Sequence, residues 1–129
     1  MKHIKVTIVA IVLFVPFCVL GQTYKNENAM AAQVSAYNYY KKGNLAKAAA
    51  EYRRALKYDP YNYKVHYNLG LIHVMNKQYP SAVNELEKAA RGDSVVKKDA
   101  LYNLIILYGK YLNDVDNAYR YYKKFKQIP

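Results

Sequence analysis

The 129-residue sequence contains no tryptophan, one cysteine, five glycines and four prolines, and nine acidic residues stand against 20 Lys and Arg. Each shortage excludes something. Cys18 alone cannot build an intramolecular disulfide framework or a zinc site made of several thiolates. Gly and Pro are too few for a collagen-like or low-complexity chain, and with 53% apolar residues the sequence can bury a core. The length suits one modest domain. Catalytic groups are equally thin: Ser35, Ser81 and Ser94 sit in no nucleophile elbow, no Gly-rich phosphate loop occurs, and Glu85 and Glu87 point to different faces of a helix. No catalytic, cofactor-binding or metal-ligating residue is assigned, and the chain reads as a non-enzyme.

What is present begins with a leader. Lys2, His3 and Lys5 precede an unbroken apolar stretch from Val6 to Leu20, followed by Gly21 and the polar Gln22-Thr23. That is the layout of a secretory signal, shorter than the roughly 20 apolar residues a spanning helix wants. The expected division is a signal peptide over 1–21, with an uncleaved anchor as the alternative, a linker over 22–28 and a domain over 29–128. Removing 1–21 leaves 18 cations against nine acids, a net charge of +9, and no Cys. Export to a bacterial periplasm or envelope is the expected localisation.

The domain carries an internal repeat. Ala48, Glu51, Tyr52 and Ala55 recur as Ala82, Glu85, Leu86 and Ala89, each displaced by 34 residues. Ala36 and Tyr39 map onto Gly70 and His73 at the same displacement. A third copy follows, with Tyr102-Asn103-Leu104 displaced by 35 from Tyr67-Asn68-Leu69, and Ala118, Tyr122 and Phe125 displaced by 36 from Ala82, Leu86 and Ala89. One residue is thus added before the third repeat and another inside its turn. Within each second helix the small, large and small positions fall at i, i+4 and i+7, one stripe of an α-helix. Small residues let a neighbouring helix approach, and the large one fills the groove between them. The spacing predicts helices over 29–42, 45–57, 63–76, 79–91, 97–111 and 115–127, with Gly43 and Lys77 at turns and Pro60 ending the second helix.

This pattern resembles the tetratricopeptide repeat, a 34-residue helix-turn-helix with a small residue in its first helix, then A-x3-F and a closing Pro. The best matches are Asn68-Leu69-Gly70 and the run Ala48 to Pro60; no Trp opens any repeat, and Ile105 and Phe125 replace small residues in the third. The resemblance implies an all-α fold, a right-handed superhelical array of three repeats over about 29–62, 63–96 and 97–128. It also implies a non-catalytic adaptor that holds a protein or peptide partner in a concave groove of first helices. Carried over by position, that groove would show Gln33, Tyr37, Tyr40 and Lys41, then Lys64, Tyr67, Asn68, Leu71 and Met75, then Asp99, Tyr102, Asn103 and Ile106. Asn68 and Asn103 stand out because an amide brackets a peptide group whatever its side chain. Gln33, Tyr37, Asp99 and Asn103 depart from the carboxylate clamp of some relatives, so a chaperone-tail receptor is not expected.

Other features have plainer readings. His66 and His73 take places where the repeat puts core aromatics, and no Cys or carboxylate pair beside them suggests a metal. The stretch Asn113 to Asn117 is similar to a calcium loop but lacks its Gly and Glu, and helix capping explains its acids. Tyr39, Tyr52, Tyr108 and Tyr122 are expected in the repeat cores. Lys126 stands where a fourth repeat would pack, a modest polar cap, although Tyr119 beside it leaves an apolar surface through which self-association is conceivable. The excess of Lys and Arg gives the alternative function, a basic envelope-surface protein contacting anionic glycan or lipid. Nucleic acid is not an expected partner of an exported chain, and membrane contact would come only through an uncleaved leader.

Overall fold

The computed structural model describes residues 17–129; residues 1–16, most of the expected leader, lie outside them. The described chain is all-helical: α1 Phe17–Lys41, α2 Leu45–Tyr58, α3 Tyr63–Met75, α4 Tyr79–Ala89, α5 Ser94–Ile106 with a π-helical turn Leu107–Tyr111, and α6 Val115–Lys126. These pair as three hairpins, α1 with α2, α3 with α4 and α5 with α6, each packed on the next.

The turns follow from local chemistry. Gly43, Lys77 and Asn113 each adopt a positive φ, of 74°, 57° and 52°, closing a helix in the left-handed conformation that glycine and asparagine tolerate best. Asn44 and Asp114 then cap the next helix by accepting from the backbone N–H of Lys47 and Asn117, at 3.1 and 3.0 Å. Asp114 is thus the capping acid after Asn113, and Asp116 lies in the first turn of α6. Lys77 is the misfit, since its Cβ makes the left-handed conformation costly. We expect Lys77→Gly to raise stability by about 0.5–1 kcal/mol, the relief of strain exceeding the added freedom of the unfolded chain; thermal unfolding followed by circular dichroism measures it.

The inserted residue of the third repeat appears at the π-helical turn. In the first two hairpins the N–H of the capping residue reaches back five residues, Asn44 to Tyr39 at 2.9 Å and Gln78 to His73 at 2.8 Å; in the third, Asp114 reaches back six, to Tyr108 at 2.8 Å. An α-helix absorbs one extra residue as a single π-turn. The addition therefore sits within the helix and not in the loop after it.

Three boundaries differ from expectation by two residues or more. α1 is already helical at Phe17, the first described residue and twelve before the expected start, and takes in the stretch 22–28 read as a linker. No Gly or Pro interrupts Gln22 to Lys41, and polar side chains there bond within the helix, Thr23 Oγ1 to the carbonyl of Val19 at 3.0 Å and Asn28 Nδ2 to that of Tyr24 at 2.8 Å. α4 ends at Ala89, two residues short of expectation. α5 begins at Ser94 because Asp93 accepts from the backbone N–H groups of Val95 and Val96 at 3.1 and 3.0 Å.

Two apolar clusters form the core. One joins Ala32 and Ala36 of α1, Ala48, Ala49, Tyr52 and Ala55 of α2 and Val65, Leu69 and Ile72 of α3. The other joins Ala82, Leu86 and Ala89 of α4, Ala100, Leu101 and Leu104 of α5, Leu107 and Tyr121. Every residue of the expected Ala-large-Ala stripes in α2 and α4 is buried. The buried face of α6 is the correction: Tyr121 is 5% exposed and Tyr122 45%, reversing the expectation that Tyr122 enters the core. Tyr121 stacks on Tyr108, which is half-buried, at 5.5 Å between ring centres, and its hydroxyl donates to Glu87 of α4.

The two buried histidines tie elements together. His66 Nδ1 faces Glu85 Oε2 at 2.6 Å and its Nε2 faces the carbonyl of Pro60 at 3.0 Å, so one ring links α3, α4 and the inter-repeat loop. Burial pushes the Glu85 carboxyl upward, but hydrogen bonds from His66 and Lys88, together with their charge, hold it below its ordinary value. His73 Nδ1 meets Gln78 Oε1 at 2.7 Å across the turn. Among the described residues, no group of three or more His, Cys, Asp or Glu stands together as a metal site would require. No described helix is long and apolar enough to cross a membrane.

Candidate functional site

The amino-acid distribution along α1 determines where an open apolar surface arises. Its buried side is made of alanines, Ala29, Ala32 and Ala36, which bring α2 close. The large side chains Met30, Val34, Tyr37 and Tyr40 stand on the other side and remain exposed. Across from them α3 presents Lys64, Asn68 and Leu71, spaced i, i+4 and i+7 along one face. Between the two first helices lies a cavity of about 530 Å³, lined by these seven residues with Gln33, and with Tyr52 of α2.

The chemistry of this cavity is aromatic and nearly neutral. Three tyrosines supply apolar rings with polar tips, Asn68 supplies an amide, and Lys64 is its one charged lining residue. Tyr37 and Tyr40 stack with centres 6.5 Å apart, and Lys41 Nζ lies 5.8 Å from the centre of the Tyr37 ring. Burial raises the Tyr52 phenol above its ordinary value, an effect the neighbouring Asn68 amide partly offsets. No proton-transfer pair is assembled here: the cavity holds no carboxylate, histidine or thiol.

Comparison with known proteins bears on the repeat itself. Two models of the tetratricopeptide repeat match, one over residues 35–95 and one over 99–128, together covering most of the chain. The chain belongs to the tetratricopeptide repeat family. Among curated proteins, the tetratricopeptide array is 36% identical over 87 residues to the BBSome complex member BBS4 of Xenopus tropicalis, and 33% identical over 84 residues to that of Mus musculus. These matches take in 67% and 65% of this chain but only 16% of each relative. Among solved structures, the N-terminal domain of stress-induced protein-1 (STI-1) from C. elegans superposes with a TM-score of 0.73 at 22% identity, over 78% of this chain and 84% of that one. At that identity the likeness concerns the fold.

Within the tetratricopeptide array, the expected groove residues divide. Tyr37, Tyr40, Lys64, Asn68 and Leu71 come together in the cavity, and Lys41 lies against it through Tyr37. Tyr67 is half-buried against the second core, and its hydroxyl accepts from Asn103 Nδ2 at 3.3 Å. The same Asn103 nitrogen donates to the carbonyl of Asp99 at 2.9 Å. Asn103 thus ties repeats two and three together, while Asn68 opens on the cavity. Burial, with the Asp99 charge adding to it, pushes the Tyr67 phenol upward. Met75, Tyr102 and Ile106 are exposed outside the cavity.

Sequence reasoning missed Met30, Val34 and Tyr52. The first two carried a signal, an apolar i, i+4, i+7 run with Tyr37 on a helix whose alanines already mark the inner face. Tyr52 carried none, because its ring belongs to the core and only its edge reaches the cavity floor.

Proposed function

We propose that this tetratricopeptide repeat protein is an exported, non-catalytic adaptor that holds a peptide or a short segment of a partner protein in the groove between its first helices. The observation that carries the reading is the cavity of about 530 Å³ faced by Met30, Val34, Tyr37, Tyr40 and Leu71 around the Asn68 amide. Exposed large apolar residues gathered in a concavity mark interaction sites. An amide beside them fixes the backbone of a bound segment without demanding a particular sequence. The basic, apolar leader over residues 2–20 supports the exported part of the proposal.

The test is a crosslinking pull-down from the native envelope fraction with the mature chain, beside a Tyr37→Ala, Asn68→Ala variant. A partner held by the parent chain should be reduced about tenfold or more by the pair of changes, since aromatic anchors carry much of such binding energy. Unchanged thermal unfolding would show that the variant is folded. Equal recovery by both baits would place binding outside this groove, and finding the native chain in the cytoplasmic fraction instead of the envelope would count against export.

A further inference from the structure

The last helix presents a face that the two preceding repeats cover. The helix-capping residues Asn44, Gln78 and Asp114 set the register, with displacements of 34 and 36. By that register Leu45 and Tyr79 correspond to Val115, and Ala49 and Val83 to Tyr119. In the first two repeats Ala49 is buried and Leu45, Tyr79 and Val83 are half-buried, packing against the clusters shared with the next repeat's first helix. In α6, Val115 is 70% exposed and Tyr119 59%. With Tyr122 they make an i, i+4, i+7 stripe, and the Tyr119 and Tyr122 rings stack at 6.4 Å.

The charge around this stripe distinguishes its occupant. Lys123 Nζ lies 5.0 Å from the centre of the Tyr119 ring, and Lys126 takes the position of the apolar Leu56 and Ala90. Among the described residues, neither lysine is in an ion pair. Asp116 is the one acid on α6, set at its opposite end. A second copy of this chain, with 20 cations against nine acids, would bring like charges together at the rim. The chain's own residues 1–16 are no better matched, since they carry Lys2 and Lys5 and no acid.

We propose that the outer face of α6 docks an acidic amphipathic helix of a partner protein, in the place a fourth repeat's first helix would take. The apolar side of that helix covers Val115, Tyr119 and Tyr122, and its carboxylates meet Lys123 and Lys126. A helix fits this face because the equivalent faces of α2 and α4 each receive one, whereas a lipid surface has no counterpart in the array.

The test uses the full chain and a fluorescein-labelled synthetic amphipathic peptide, with leucines at i, i+4 and i+7 flanked by glutamates. Its counterpart carries lysine for every glutamate. The acidic peptide should bind and the basic one should not, with binding weakened severalfold as salt rises to physiological ionic strength. Tyr119→Ser, Tyr122→Ser should lower affinity about tenfold or more, with thermal unfolding unchanged because both residues are exposed. The Tyr37→Ala, Asn68→Ala variant should bind this peptide normally, which separates the surface from the groove. Equal binding of both peptides, or of the acidic peptide to the Tyr119, Tyr122 variant, would overturn the proposal. So would sedimentation showing a dimer that the same variant abolishes, or capture of phosphatidylglycerol vesicles through this face by a chain that ignores the peptide.

Discussion

Replacing Gly70 with valine is expected to remove about 2–3 kcal/mol of stability, as overpacked cores typically lose. In an ordinary exposed helix a glycine is the weaker choice, and adding a side chain gains about 1 kcal/mol. Here the sign reverses. A Cβ on Gly70 would lie 2.9 Å from Cγ and 3.0 Å from Cδ2 of Leu86, closer than carbon atoms tolerate. Leu86 is fully buried, and the clash falls near its branch point, so rotating the chain end does not relieve it. Leu86→Ala, conversely, opens a cavity and should cost about 2–5 kcal/mol. Combining the two changes puts the valine methyls into the space the leucine leaves. Urea unfolding of the four proteins should therefore give a double variant more stable than the sum of its parts by about 1–2 kcal/mol, as contacting residues do. Strict additivity would mean that α3 and α4 separate at this point and do not repack.

That contact shows what a repeating sequence makes legible. The displacement of 34 aligns Gly70 with Ala36 and Leu86 with Tyr52, and both pairs lie in the cores: a small residue on the first helix faces a large one on the second. Periodicity records such constraints because each hairpin must satisfy them in order to stack. The turns were legible for the same reason, with Gly43 and Lys77 in the left-handed conformation at equivalent places.

What periodicity does not record is any relation that occurs once. Asn68 and Asn103 are equivalent in sequence, yet one faces a cavity while the other bonds Tyr67 and the Asp99 carbonyl. Their difference arises because Asn68 has the long α1 before it, whose large residues stand clear of the core, and Asn103 has Tyr67. The start of α1 was hidden for another reason. Residues 22–27 are exposed, so no apolar stripe marks them as helix; continuity with the packed segment and the absence of a Gly or Pro keep them helical. Position along the repeat brought out Tyr37, Tyr40, Lys64, Asn68 and Leu71, while Met30, Val34 and the floor at Tyr52 were not legible that way.

The register of α6 gives the second large effect. Tyr121→Ala should cost about 3–4 kcal/mol, in the range of buried aromatic truncations, while Tyr122→Ala should fall within about 0.5 kcal/mol of the parent. In sequence the two are neighbours in a tract with Tyr119, so hydrophobicity offers no contrast to choose between them. The displacement of 36 selected Tyr122 because it aligns that residue with Leu86, which is buried between repeats. Among the described residues nothing covers the side of α6 that carries Tyr122, and the π-turn delivers Tyr108 to stack on Tyr121. Alkaline titration gives an independent readout of the same ring. Burial, the hydrogen bond to Glu87 and the charge of that carboxylate push the Tyr121 phenol up to about 12, from 10.0. A phenol raised on folding contributes stability that is complete below pH 10 and lost as pH rises through 12. Tyr121→Phe should therefore flatten the fall in stability over that interval, leaving the smaller slope due to Tyr52, Tyr67 and Tyr108, whose phenols are also raised. If Tyr121→Phe and the parent gave the same alkaline profile, neither the stack on Tyr108 nor the bond to Glu87 would be setting the face that α6 turns inward.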